Sequence, residues 1–221
     1  MRDDKNLALI MRRQKKSYSE ISKKLDIPKS TLVYWFKNKR WSIRIKKCLA
    51  KKNRVFIAKQ IRVMNEARKI KRLKYYAEVR KKAKLEFASL KNKQLFLAGL
   101  MLYWGEGDNK LENSIVRLSN TNPKMIKIFS LFLRSICRVD KEKLRIALIL
   151  YHDLGANECK EFWSKISGVP KDKFHKIQFI KGNHPTKRLS YGICNVYFSS
   201  RELKEKIFVW LKLFQQELTR V

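Results

Sequence analysis

Residues 95–110 run Leu95-Phe96-Leu97-Ala98-Gly99-Leu100-Met101-Leu102-Tyr103-Trp104-Gly105-Glu106-Gly107-Asp108-Asn109-Lys110. An unbroken apolar run that stops at Gly-Glu-Gly predicts a helix buried on most of its sides. Gly99 and Gly105 are small enough to let a second helix approach closely. The carboxylate of Glu106 falls at the C-terminal end of that helix, where the macrodipole disfavours negative charge. An acid in such a place points to a compensating cation, for which a divalent ion with oxygen ligands is suited. The plainer reading is a solvated acid at a helix end.

Working outward toward the C-terminus, residues 115–119 are strand-like, and Asn120-Thr121-Asn122-Pro123 has the composition of a turn and helix cap. A helix is predicted over 124–137, a strand over 144–151 and a helix over 156–166. Residues 176–180 and 191–198 are β-rich, and a last helix is expected over 201–218. All seven glycines fall after residue 98. The stretch 94–221 is therefore expected to be an α+β domain, and the family resemblance given below implies an antiparallel sheet.

Upstream, residues 43–93 contain neither Gly nor Pro, and residues 51–93 carry sixteen Lys and Arg against three Glu. Good helix formers without a breaker predict one long basic helix. Its apolar residues Val55, Ile61, Ile70, Leu73, Val79 and Leu85 form only a thin face. So concentrated a positive charge points to a helix that lies along DNA or links two DNA-contacting parts; a merely solvated face is the alternative.

Residues 1–42 read as short helices with turn punctuation. Ser17-Tyr18-Ser19-Glu20 has the form of a capping box, and Ile21 and Leu25 give the helix behind it an apolar face. Asp26-Ile27-Pro28 is the turn, with Pro28 suited to the first position of a new helix. In that second helix Leu32, Trp35 and Phe36 form the stripe expected to be buried. Lys29, Ser30, Val33, Tyr34 and Lys37 then face outward, with Arg40 just beyond. Hydroxyls, an aromatic ring and lysines on one exposed face suit a helix that reads base edges in the major groove. A small helical protein–protein module would share the periodicity.

Composition agrees with a polyanionic partner. The chain of 221 residues has 53 Lys and Arg against 19 Asp and Glu, a formal net charge of +34. A folded chain so charged repels itself unless an anionic surface neutralises it, and nucleic-acid phosphates do so with release of counterions. No apolar stretch is long enough to span a bilayer and no lipidation signal is present, so an anionic membrane is disfavoured and a cytoplasmic, nucleoid-associated protein is expected. Cys48, Cys137, Cys159 and Cys194 make no C-x-x-C spacing and no zinc pattern with the three histidines, which predicts reduced, mostly buried thiols.

The stretch from Ser17 to Trp35 resembles the helix-turn-helix of resolvases and of many bacterial and archaeal regulators. That resemblance implies that the second of the two helices enters the major groove of double-stranded DNA. The segment ending Glu106-Gly107 resembles the LAGLIDADG homing endonucleases. That resemblance implies an α-β-β-α-β-β-α domain, a homodimer paired through the motif helix, and a Mg2+-dependent site. In such a site Glu106 and Asp108 would hold metal, while Lys110, Lys181 or Lys187 would steady the transition state. Trp104 stands where the family often has a second acid, and Leu97-Ala98-Gly99-Leu100 lies two residues early for the family spacing. His152-Asp153 is a further catalytic candidate, although a structural histidine is the more ordinary reading. Three segments are thus expected: a helix-turn-helix at 1–42, a basic helical linker at 43–93 and a LAGLIDADG-like domain at 94–221. Their function is expected to be double-stranded DNA binding, either with metal-dependent cutting or as a non-catalytic regulator.

Overall fold

The structure, a computed structural model, describes residues 4–181 and 190–219. The N-terminal stretch forms α1 (Asp4–Arg13), α2 (Tyr18–Leu25) and α3 (Lys29–Phe36). Ala8 and Met11 of α1, Ile21 of α2, Ile27 of the turn, and Leu32 and Phe36 of α3 close into one small core. The helix α4 (Arg40–Leu90) follows without interruption, as its lack of Gly and Pro requires.

The chain divides into two compact units, Met1–Arg72 and Leu73–Val221, so the boundary falls inside α4. The segment expected as a linker over 43–93 is therefore shared. Ser42, near the start of α4, is buried in the first unit, whereas Val79, Ala83 and Phe87 are buried in the second. Side chains from 50 to 75 are all exposed.

The second unit continues with α5 (Gln94–Glu106), β1 (Ile115–Asn120) and α6 (Pro123–Leu131), the last running into a π-helical turn at Phe132–Ile136. Then come β2 (Arg145–Tyr151), α7 (Ala156–Ser167), β3 (Gln178–Ile180), β4 (Ile193–Ser199) and α8 (Arg201–Leu218). This is an α+β unit around a four-stranded sheet in the order β1-β4-β2-β3. β4 pairs antiparallel with both β1 and β2, but β2 and β3 pair parallel. The sheet is mixed rather than wholly antiparallel because α7 lies between β2 and β3 and returns the chain in the same direction. The order of elements also departs from α-β-β-α-β-β-α. Asn122 caps α6 by accepting from the Lys124 N–H at 2.9 Å, so the helix predicted over 124–137 stands between β1 and β2, where the resemblance implied two consecutive strands.

Strand alternation divides the sheet into two faces. Val116, Leu118, Ile146, Leu148, Leu150, Cys194 and Val196 point into the core, where they meet α5, α6 and α8. Aromatic rings fill much of that core: Phe96 meets Trp210 edge-on at 5.4 Å, and the Trp210 indole donates to the Ala83 carbonyl at 3.0 Å. Gly99 is the seat of Phe132, since a Cβ there would overlap the Phe132 ring. The close approach expected at Gly99 is thus made within the chain, whereas Gly105 faces open space.

Cys159 and Cys194 are buried, Cys137 is half-buried and Cys48 is exposed. Burial pushes the Cys137 and Cys194 thiols far above the usual range. Among the described residues no helix is long and apolar enough to cross a membrane.

Candidate nucleic-acid interface

In the first unit the capping box forms as its spacing requires. The Glu20 N–H donates to Ser17 Oγ at 3.2 Å, and the Ser17 N–H donates to Glu20 Oε2 at 2.7 Å. Asp26 ends α2 in the left-handed region at φ 51°, which turns the chain sharply before α3. Pro28 occupies the cap of α3 rather than its first turn, and its carbonyl accepts from the Thr31 and Leu32 N–H groups. Leu32 and Phe36 anchor α3 in the core, while Trp35 is only half-buried, edge-on to Phe36.

The outward face is the one expected. Lys29, Ser30, Val33, Tyr34 and Lys37 are all exposed, as is Arg40 at the start of α4. Tyr34 is 74% exposed, and the Lys37 ammonium lies 5.7 Å from its ring centre. Such exposure of a large ring on a helix anchored by its opposite face leaves it available to a ligand rather than to the core.

What holds this face in place was not foreseen. Arg12 is buried, and its guanidinium donates to Ser42 Oγ at 3.1 Å, the Ser42 carbonyl at 3.0 Å and the Lys16 carbonyl at 2.8 Å. It also lies 4.2 Å from the Tyr18 ring centre, and Tyr18 hydroxyl and Ser42 Oγ are 2.9 Å apart. One buried cation thus ties α1, α2 and the start of α4 together through three oxygens and a ring face. Among so many arginines nothing marks Arg12 except its position beside Met11 and Ala8 on the apolar side of α1.

In the second unit the sheet face turned away from the helices carries a second set of polar groups. Arg117 on β1, Tyr197 on β4 and Arg145 on β2 are register partners, a row of cation, ring and cation across three strands. Arg117 is exposed and the other two are half-exposed. His175 stacks on Tyr197 at 5.7 Å. Burial raises the Tyr197 hydroxyl above its usual range, with Arg145 and Arg117 pulling it back. The neighbouring row joins Ser119 to Asn195 by a hydrogen bond, and Asn195 Nδ2 donates to the Ala147 carbonyl at 3.0 Å. Two-residue alternation with Val116, Ile146 and Val196 puts these side chains on the outer face, but only the strand register sets them in one row.

Glu106 is exposed, and its carboxylate makes no hydrogen bond or ion pair among the described residues. Asp108 does not fit the role of second metal ligand, because protein donors occupy both its oxygens. Oδ2 accepts from Arg117 at 3.2 Å and from Asn113 at 2.9 Å. Oδ1 accepts from the Lys110 N–H at 3.1 Å and lies 3.5 Å from the fully buried Lys204 ammonium. Burial raises the Asp108 carboxyl, but the Lys110 N–H, Asn113, Lys204 and Arg117 outweigh it and hold it below the usual range. Lys204 completes its coordination on Asn113 Oδ1 at 2.5 Å and the Ile115 carbonyl at 2.9 Å.

Lys110 and Lys181 are both exposed, and neither bonds to Glu106 among the described residues. Lys187 lies outside the described residues. His152 stacks on Phe179 at 5.0 Å, a ring contact consistent with a structural role. Among the described residues no three His, Cys, Asp or Glu side chains gather in a way that could hold a metal ion. Comparison with known proteins finds no family model, no curated protein and no solved structure that matches this chain.

Proposed function

We propose that this protein binds double-stranded DNA and acts as a DNA-binding regulator, with α2, the Asp26–Pro28 turn and α3 serving as its helix-turn-helix. The observation that carries the reading is the outward face of α3, where Lys29, Ser30, Tyr34 and Lys37 stand exposed on a helix fixed by Leu32 and Phe36. Hydroxyls and lysines there can address base edges and phosphates, and Tyr34 can lie against sugar or thymine methyl. The Arg117–Tyr197–Arg145 row offers a second cationic surface for phosphates. The net charge of +34 supports both contacts, and a DNA partner implies an intracellular, nucleoid-associated location. The likeness of α5 to a LAGLIDADG helix supports pairing of two copies along the face bearing Met101, Trp104 and Gly105, where the first two are exposed and the third meets nothing.

The endonuclease alternative keeps Glu106 as a free carboxylate but loses Asp108 to its protein donors. Cutting would require Glu106 of two copies to meet beside one phosphate. The test is selection from a randomised duplex library, scored for enrichment and for strand breaks with and without magnesium. Replacing Lys29, Ser30 and Tyr34 by Ala is expected to lower the preference for the enriched sequence by on the order of tenfold or more per lost base contact. Binding to unrelated duplex should change far less. Equal loss on every sequence would remove α3 from base reading.

A further inference from the structure

The exposed middle of α4 carries a pattern that neither unit uses. Leu49, Phe56, Val63 and Ile70 recur every seven residues. Asn53, Gln60 and Ala67 recur four residues after the first three of them, and Ile57 and Met64 flank the same line. None of these side chains is charged, whereas Lys51, Arg54, Arg62 and Lys69 lie on the other sides of the helix. The spacing is that of a coiled-coil seam, with Leu49, Phe56, Val63 and Ile70 at d and Asn53, Gln60 and Ala67 at a. Phe56, Ile57, Val63, Met64 and Ile70 are each more than half exposed. The seam ends where Lys71 and Lys74 enter it, just before Val79, Ala83 and Phe87 begin to pack on the second unit's own core. From Phe56 onward the stripe therefore lies in the part of α4 that no other described residue buries. Exposed apolar side chains in such a row call for a partner.

We infer that α4 pairs with α4 of a second copy as a parallel two-stranded coiled coil over residues 49–70, holding two N-terminal units together. The positions that flank the seam are compatible with a second copy. In a parallel pair the g positions Lys52, Lys59 and Glu66 meet Ile57, Met64 and Lys71 at the partner's e positions, so no cation faces a cation and Glu66 meets an ammonium. The parallel sense follows from the amides. In register, Asn53 meets its own copy and Gln60 meets its own copy, so each pair can share hydrogen bonds. Antiparallel strands would set those amides against Val63, Ile70 or Phe56 and leave them unsatisfied. The basic residues meanwhile remain outside the seam, free for phosphates. This pairing is separate from the α5 face and needs no DNA.

The test uses the full chain with Cys48→Ser, so that no exposed thiol remains, at about 0.5 M salt, where the Debye length is about 4 Å and charge repulsion is short-ranged. Asn53→Cys at the seam is expected to form an intermolecular disulfide on mild oxidation at least tenfold faster than Lys51→Cys on the outside. Facing a positions in a parallel pair lie within disulfide reach, whereas antiparallel strands separate residue 53 from its copy by several turns. Sedimentation equilibrium should give a dimer that Phe56→Glu with Val63→Glu weakens at least tenfold. These two side chains lie outside both cores, so each unit of the variant should still unfold cooperatively, at a melting temperature that no longer rises with protein concentration. Equal cross-linking at 51 and 53, or a dimer that withstands the two glutamates when Trp104→Lys has already blocked the α5 face, overturns the inference. Duplex binding is titrated separately on the same variants, so its failure and the failure of the coiled coil are told apart.

Discussion

Asp108 sits in the turn after α5, yet it meets two cations and two N–H donors from four different residues. Lys204 depends on it most, because that ammonium is fully buried on α8 and among the described residues has only Asn113 and a carbonyl besides. Replacing Asp108 by Asn strands a buried positive charge, which is expected to cost about 3 kcal/mol. Thermal unfolding checks this, and a loss under about 0.5 kcal/mol would show that the turn relaxes around the change. The acid response follows from the same contacts. A carboxyl held below its usual range stabilises the fold fully above the unfolded-state value near 4 and loses that contribution as pH falls through the folded value. The wild type should therefore lose stability more steeply than Asp108→Asn below about pH 4. The sequence offered Asp108 as a metal ligand because Glu-Gly-Asp is compatible with that chemistry. Only the fold brings Arg117 and Lys204 onto it, from 9 and 96 residues away in sequence.

The two glycines of α5 differ although they look alike in sequence. Gly99 is occupied by the ring of Phe132, and Gly105 meets nothing. Gly99→Ala is expected to destabilise the second unit by about 1–3 kcal/mol through overpacking. Gly105→Ala should stabilise a single copy by up to about 1 kcal/mol, as Ala does in a helix, while weakening association if copies meet on that face. Melting curves and sedimentation of the pair of variants separate these effects. Most elements were legible because their signals are local: the Ser17–Glu20 box, the breaker-free run of α4, Asn122-Pro123 before α6, and the apolar stop at Gly105. Strand pairing was not legible. The position of β4 between β1 and β2 depends on contacts some 80 residues apart, and the parallel β2–β3 pair depends on where α7 lets the chain return. The Arg117–Tyr197–Arg145 row shares that cause, since it exists only once the register is set.

For the whole molecule the net charge of +34 is the dominant physical fact. Binding to duplex DNA is expected to weaken by about a thousandfold or more between 50 and 200 mM salt, the behaviour of a protein that neutralises six or more phosphates. A flat titration would mean that the cations do not meet phosphate. The thiols add a practical consequence. Cys137, Cys159 and Cys194 are withdrawn from solvent to different degrees and Cys48 alone is exposed. Maleimide dyes should accordingly attach at one position in the native protein and at all four in urea. A fluorophore so placed reports from the first turns of the long helix without any engineered residue, and its labelling stoichiometry becomes a direct gauge of whether the second unit has opened.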